Sequence, residues 1–117
     1  MIAKRESRSR LRDIQEAVQS IEARTRDGRE AFMHDEMVQV WVVHHLEIIG
    51  EAATHVPAGI KAENPDVDWI AITATRNHVV HGYFEVDLEM VWETVERDMP
   101  ILKRQVARIL RSLPGNE

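Results

Sequence analysis

Residues 87–113 read DLEMVWETVERDMPILKRQVARILRSL, with apolar residues at Leu88, Trp92, Val95, Met99, Leu102, Val106, Ile109 and Leu113, alternately four and three residues apart. A stripe with that spacing stays on one side of an α-helix and asks for long antiparallel packing. The spacing predicts one helix from about Asp87 onward. Pro100 lies inside it and removes one helical hydrogen bond, which predicts a kink there and no full stop, because the stripe continues in register beyond it. Pro114-Gly115 ends the ordered chain.

Working toward the N-terminus, Asp66 or Asp68 can cap a further helix whose apolar side is Trp69, Ile70, Ile72, Val79 and Val80, with Gly82 as its end. His55 to Pro65 holds Pro57, Gly59, Asn64 and Pro65, the punctuation of a loop or short broken helix. From Glu30 to Ala53 the apolar residues cover more than one stripe, so this helix is placed at the centre of the fold with neighbours on several sides. Asp27-Gly28 separates it from a first helix over about 5–25, whose buried stripe is Leu11, Ile14, Val18 and Ile21. Four helices with short connections, no strand pattern and no repeat predict an all-α, up-and-down four-helix bundle forming a single domain over residues 1–117.

Composition fits that architecture. A chain of 117 residues with 44% apolar and 30% charged residues can bury roughly 65% of its unfolded surface, and is neither a disordered tail nor a repeat protein. No apolar run approaches the ~18 residues of a membrane span. The start, Met1-Ile2-Ala3-Lys4-Arg5-Glu6, lacks the apolar stretch of an export signal, which predicts a cytoplasmic protein. Zero cysteines exclude disulfides and thiolate zinc sites. The net charge of −5 argues against an indiscriminate nucleic-acid coat protein. Locally the balance differs: residues 1–29 carry eight basic and five acidic side chains, and 103–111 adds Lys103, Arg104, Arg108 and Arg111 with no acid. These zones are either solvated helix faces or a guide for RNA toward one side of the protein.

Several side chains could carry chemistry. His44-His45, His78 and His81 invite a metal reading, but no Glu-x-x-His motif of the kind bundle metal sites use accompanies them. Glu47 and Glu51, four apart, share a helix face as a carboxylate pair for proton transfer or as a solvated or interface pair. The segment Arg76-Asn77-His78-Val79-Val80-His81-Gly82-Tyr83 places a fixed cation, a titratable imidazole and the only tyrosine at a predicted helix end. Arginine forks two hydrogen bonds to a phosphate, and histidine moves protons near neutral pH. On an ideal helix Arg76 points away from His81. Either the last turn unwinds at Gly82, or two copies of the segment meet across a dimer. The alternative is packing alone, with Arg76 paired to Glu47 or Glu51 and His81 a helix-end residue.

The pattern Arg-x-x-x-x-His-x-Tyr at 76–83, followed by Phe84-Glu85-Val86-Asp87 and Val91-Trp92, resembles the HepT family of toxin ribonucleases in the HEPN superfamily. Leu46-Glu47-Ile48-Ile49-Gly50-Glu51-Ala52-Ala53, Pro65 before Trp69, and Asp98-Met99-Pro100 carry the same resemblance, which runs from about Asp13 to Ile109. It implies a HEPN-like homodimer with both Arg-x4-His motifs at a shared cleft, cutting RNA without a metal or other cofactor. By position, Arg76 would bind the scissile phosphate, His81 would serve as general acid or base, and Asn77 would help order the site. Tyr83 matches the tyrosine to which an MNT-type nucleotidyltransferase antitoxin adds AMP in a type VII-like toxin–antitoxin pair, within a dimer or a higher oligomer. A bulky anion there would block and repel RNA. The chain departs from the family pattern at His44-His45, where Arg-Asn is expected, and at His78, which is either a second proton-transfer group or solvent-facing. A non-catalytic HEPN module that binds the nucleotidyltransferase is the alternative, since Arg76, His81 and Tyr83 would serve both.

Overall fold

The computed structural model describes residues 2–76 and 87–114, residues 2–5 by backbone alone. Its first helix, α1 (Ile2–Arg24), buries Leu11, Ile14, Val18 and Ile21 completely, as their spacing predicts. Thr25 closes α1 by donating from Oγ1 to the Ile21 carbonyl at 2.8 Å. Gly28 then takes φ +92°, a conformation that favours glycine, and starts the short α2 (Gly28–Met33).

The helix expected from Glu30 to Ala53 is two helices. α2 stops at Met33 and α3 (Glu36–Thr54) begins after His34-Asp35. Asp35 is extended and accepts from the Val38 N–H at 3.2 Å, an N-cap, while Gln39 Nε2 reaches back to the Phe32 and Met33 carbonyls at 2.9 and 3.2 Å. The break therefore leaves few orphan backbone groups. It also turns Phe32 inward, where it is 1% exposed and packs on Trp92 with ring centroids 5.3 Å apart.

α3 supplies Val42, Val43, Leu46, Ile49, Ala52 and Ala53 to the core and runs antiparallel to α1. His55 to Pro65 holds one short helix, α4 (Ala58–Glu63). Asp68, the second of the two candidate caps, accepts from the Ala71 N–H at 3.1 Å and opens α5 (Trp69–Ala74). Asp66 ties the loop to the last helix instead: Arg108 grips its carboxylate through both terminal nitrogens, at 2.7 and 3.0 Å, and Gln105 Nε2 donates to its carbonyl at 3.1 Å. The Arg108 hydrogen bonds hold the Asp66 carboxyl below the usual carboxylate range and raise the Arg108 guanidinium.

Asp87 caps α6 (Leu88–Glu93), accepting from the Met90 N–H at 3.2 Å. A π-turn over Thr94–Asp98 joins α6 to α7 (Met99–Ser112), and the Met99 N–H bonds the Thr94 carbonyl five residues back. The irregularity expected at Pro100 thus lies just ahead of it, in a widened turn, and Pro100 sits in the first turn of α7. The stripe stays in register: Trp92, Val95, Met99, Leu102, Val106 and Ile109 are all buried. α7 lies antiparallel to α1, joined by Lys103 to Glu22 at 3.0 Å and by Arg8 to the Leu113 carbonyl at 3.3 Å. The protein is all-α, a HEPN-like helical bundle, with no strand among the described residues. No helix among them is long and apolar enough to cross a membrane.

Candidate functional site

Arg76 stands directly after α5, in a tight turn made by Thr75 and Arg76. Its position is set by α3. The Thr75 hydroxyl lies 2.8 Å from the Leu46 carbonyl and 2.7 Å from that of Ile72, donating to one of them at a time and tying the end of α5 to α3. Four residues beyond Leu46, Gly50 lets the two backbones approach more closely than any side chain would permit. A Cβ at Gly50 would lie 2.6 Å from the Arg76 nitrogen, 2.8 Å from Arg76 Cβ and 2.9 Å from the Thr73 carbonyl oxygen.

The guanidinium then crosses the last turn of α3. Nη1 donates to Glu51 Oε1 at 3.4 Å and to Thr54 Oγ1 at 3.3 Å. Arg76 and Glu51 side chains remain 44% and 60% exposed, so the pair faces solvent and contributes at most about 1 kcal/mol to stability. Of the two glutamates expected as partners, Glu51 makes the contact. His55 is on the far side of Glu51: its Nδ1 lies 3.0 Å from the Glu51 carbonyl oxygen and 3.7 Å from Oε2. Asn77, His78, His81 and Tyr83 lie outside the described residues.

Glu47 points elsewhere. With Arg10, Asp13, His44 and Glu51 it lines a groove of about 300 Å³ between α1 and α3, so Glu51 borders both the groove and Arg76. Arg10 Nη2 donates to Glu6 at 3.2 Å, while its buried Nε has no partner among the described residues. His44 and His45 are a turn and a half or more from Glu51 along α3. His45 is engaged locally, with Nδ1 2.8 Å from the Trp41 carbonyl oxygen and its ring 4.4 Å from the Trp41 ring, over which the Arg24 guanidinium also sits. Among the described residues no group of three or more His, Asp or Glu is placed to hold a metal ion.

Sequence reasoning identified Arg76 and Glu51 but gave no role to Thr54 or to Gly50 as a packing residue. A glycine inside a strongly apolar helix was the available signal, since it costs helix stability unless a close approach requires it. As arranged, the site presents a half-exposed guanidinium held from one side by a carboxylate and a hydroxyl. Such a group can receive an oxyanion on its remaining donors.

Arg76 and its α3 partners Gly50, Glu51 and Thr54 fall within residues 14–109, which match the family model described as "Ribonuclease HepT-like". The chain belongs to the HepT-like ribonuclease family. It is 37% identical over 107 residues to "Probable ribonuclease HepT" of Thermococcus cleftensis, a match covering 91% of this chain and 97% of that protein. Two further relatives carry the name "Putative RNase": one from Methanocaldococcus jannaschii, 31% identical over 90% of this chain and 97% of its own length, and one from Caldanaerobacter subterraneus, 35% identical over 70% and 73%. No solved structure matches. The HepT-like match runs from α1 to α7 and contains the full stretch from Arg76 to Tyr83.

Proposed function

We propose that this HepT-like protein is a metal-independent ribonuclease, the toxin of a two-gene toxin–antitoxin pair, with its cutting site built on Arg76 and His81. The observation that carries the reading is the presentation of Arg76: a glycine-mediated backbone approach and two α3 acceptors hold it half-exposed, five residues ahead of His81 in sequence, in a family whose relatives are named as RNases. Arg76 binds the scissile phosphodiester and offsets the charge that builds on it. His81 takes the proton of the ribose 2′-hydroxyl as its oxygen attacks phosphorus, or returns a proton to the departing 5′-oxygen. Asn77 helps order the site. His78 stands as a second proton-transfer candidate, and Glu47 is a rim residue of the adjoining groove.

A homodimer brings two such motifs to one cleft in the cytoplasm. An MNT-type nucleotidyltransferase antitoxin silences it by transferring AMP to Tyr83, the only tyrosine, which places bulk and negative charge where RNA must enter. With a net charge of −5, affinity for RNA depends on local positive potential and falls steeply with salt. The test is incubation of the unmodified protein with total cellular RNA in excess chelator, beside His81→Ala and Arg76→Ala. Cleavage by the wild type alone supports the reading. No cleavage by a protein whose intact mass shows an unmodified Tyr83 sinks it in favour of the non-catalytic binding module.

A further inference from the structure

The last turn of α3 does more than lie next to Arg76. Thr54 Oγ1 is 2.9 Å from the Gly50 carbonyl oxygen and 3.3 Å from Arg76 Nη1. A hydroxyl has one proton, and neither the carbonyl nor the guanidinium can take the other's role, so the direction is fixed. Thr54 donates to Gly50 and accepts from Arg76. Glu51 Oε1 receives from the same nitrogen at 3.4 Å. Gly50, bare of a side chain, allows Arg76 N and Cβ to come down onto α3 at all.

Both contacts therefore fall on Nη1. Among the described residues the Arg76 Nε and Nη2 donate to nothing, and those two nitrogens form the edge that makes parallel hydrogen bonds to two phosphate oxygens. We infer that Gly50, Glu51 and Thr54 form a seat for Arg76, positioning residues that hold the guanidinium by Nη1 and turn its Nε–Nη2 edge outward for a phosphodiester. The inference rests on the reading of Arg76 as the phosphate-binding group. Its content is separate, because it assigns three α3 residues to the orientation of that group and none of them to contact with RNA. An arginine held at one end loses less freedom when it makes the second set of bonds, which favours binding in one orientation.

Thr54 tests the inference, being exposed. Thr54→Val keeps the shape and removes the hydroxyl; Thr54→Ser restores the hydroxyl. In the full-length protein, single-turnover cleavage and the affinity for a 2′-O-methyl RNA that cannot be cut are both expected to fall about fivefold in Thr54→Val and to return in Thr54→Ser, the size of one lost hydrogen bond. In an Arg76→Ala background Thr54→Val should cost nothing further, since the two act as one unit. Guanidinium ¹⁵N signals, assigned by their loss in Arg76→Ala, report the seat without any RNA: rotation of the Arg76 head group is slow in the wild type and faster in Thr54→Val. Equal rotation in the two proteins, an unchanged affinity, or the same loss with and without Arg76 overturns the seat. A held guanidinium and a hydroxyl-dependent affinity in a wild type that cuts no RNA keep the seat and overturn the ribonuclease reading alone.

Discussion

Gly50→Ala is the substitution whose sign depends most directly on the packing of α3 against α5. In the middle of a helix, replacing glycine by alanine ordinarily stabilises by about 1 kcal/mol. Here the added methyl would meet Arg76 N at 2.6 Å, Arg76 Cβ at 2.8 Å and Thr73 O at 2.9 Å. Carbon atoms rest roughly 3.5–4.0 Å apart, so the turn after α5 must retreat by about 1 Å. Two of the three obstructing atoms are backbone, which cannot swing aside as a side-chain tip can. Overpacking of this kind costs about 1–3 kcal/mol. Subtracting the helix gain leaves a net loss of about 0–2 kcal/mol, and a loss of 1 kcal/mol lowers Tm by roughly 4 °C in a domain of this size. Gly59, in α4, is the control: a Cβ there meets nothing within 4 Å, and its φ is not positive. Gly59→Ala should therefore stabilise by about 0.5–1 kcal/mol. Urea titrations followed by far-UV circular dichroism read both variants. If Gly50→Ala stabilises as much as Gly59→Ala, the close approach that places Arg76 does not exist in solution.

Phe32→Ala, at a site 1% exposed and packed at a tilt against Trp92, is expected to cost about 3–5 kcal/mol in the same titration, and a loss under 1 kcal/mol would mean that α2 is not part of the core. Asp66→Asn tests the loop-to-α7 clamp. Because Arg108 lowers the folded pKa of Asp66, the pairing stabilises above the range where an unfolded aspartate titrates, near 3.8, and is lost as pH falls through the lowered folded value. The difference in urea midpoint between wild type and Asp66→Asn should hold at neutral pH and close only below pH 3.8, and a pH-independent difference would refute the clamp. Arg76→Ala should leave the unfolding free energy within about 0.5 kcal/mol of wild type, since its ion pair is solvent-facing, while abolishing chelator-resistant RNA cleavage. The reverse result, a large stability loss with cleavage intact, would make Arg76 a packing residue.

The parts of the fold that a sequence displays well are those written as periodicity over many turns. The Trp92 to Ile109 part of the C-terminal stripe and the Leu11, Ile14, Val18, Ile21 stripe both end up buried, the first along α6, the π-turn and α7 and the second in α1. The break between α2 and α3 left no such trace, because it depends on Gln39 reaching back six and seven residues to carbonyls that only a folded turn presents. Asp66 and Asp68 were equivalent as caps in the sequence. They were separated by Arg108, 42 residues away, whose reach follows from the packing of α7. The site shows the same division. Arginine five residues before histidine is legible as chemistry, whereas the choice of Glu51 over Glu47 as partner follows from which flank of α3 meets α5.

The Arg76–Glu51 pair is common to the two explanations that the sequence left open, packing and phosphate binding, so its presence alone decides nothing. Energetics separate them. Two side chains 44% and 60% exposed, in contact at 3.4 Å, add little to a folded state. Gly50, by contrast, weakens α3 by about 1 kcal/mol relative to alanine. The close approach that the buried Gly50 permits packs α5 against α3 at Thr73 and Thr75, which accounts for the glycine, but the placement of a half-exposed arginine that returns almost no stability is poorly explained as packing. It is well explained if the location and orientation of that guanidinium matter for something outside the chain. The donors left free on Nε and Nη2 among the described residues are those that an oxyanion with two coplanar oxygens would use. Under the proposed function, that oxyanion is the phosphodiester of RNA.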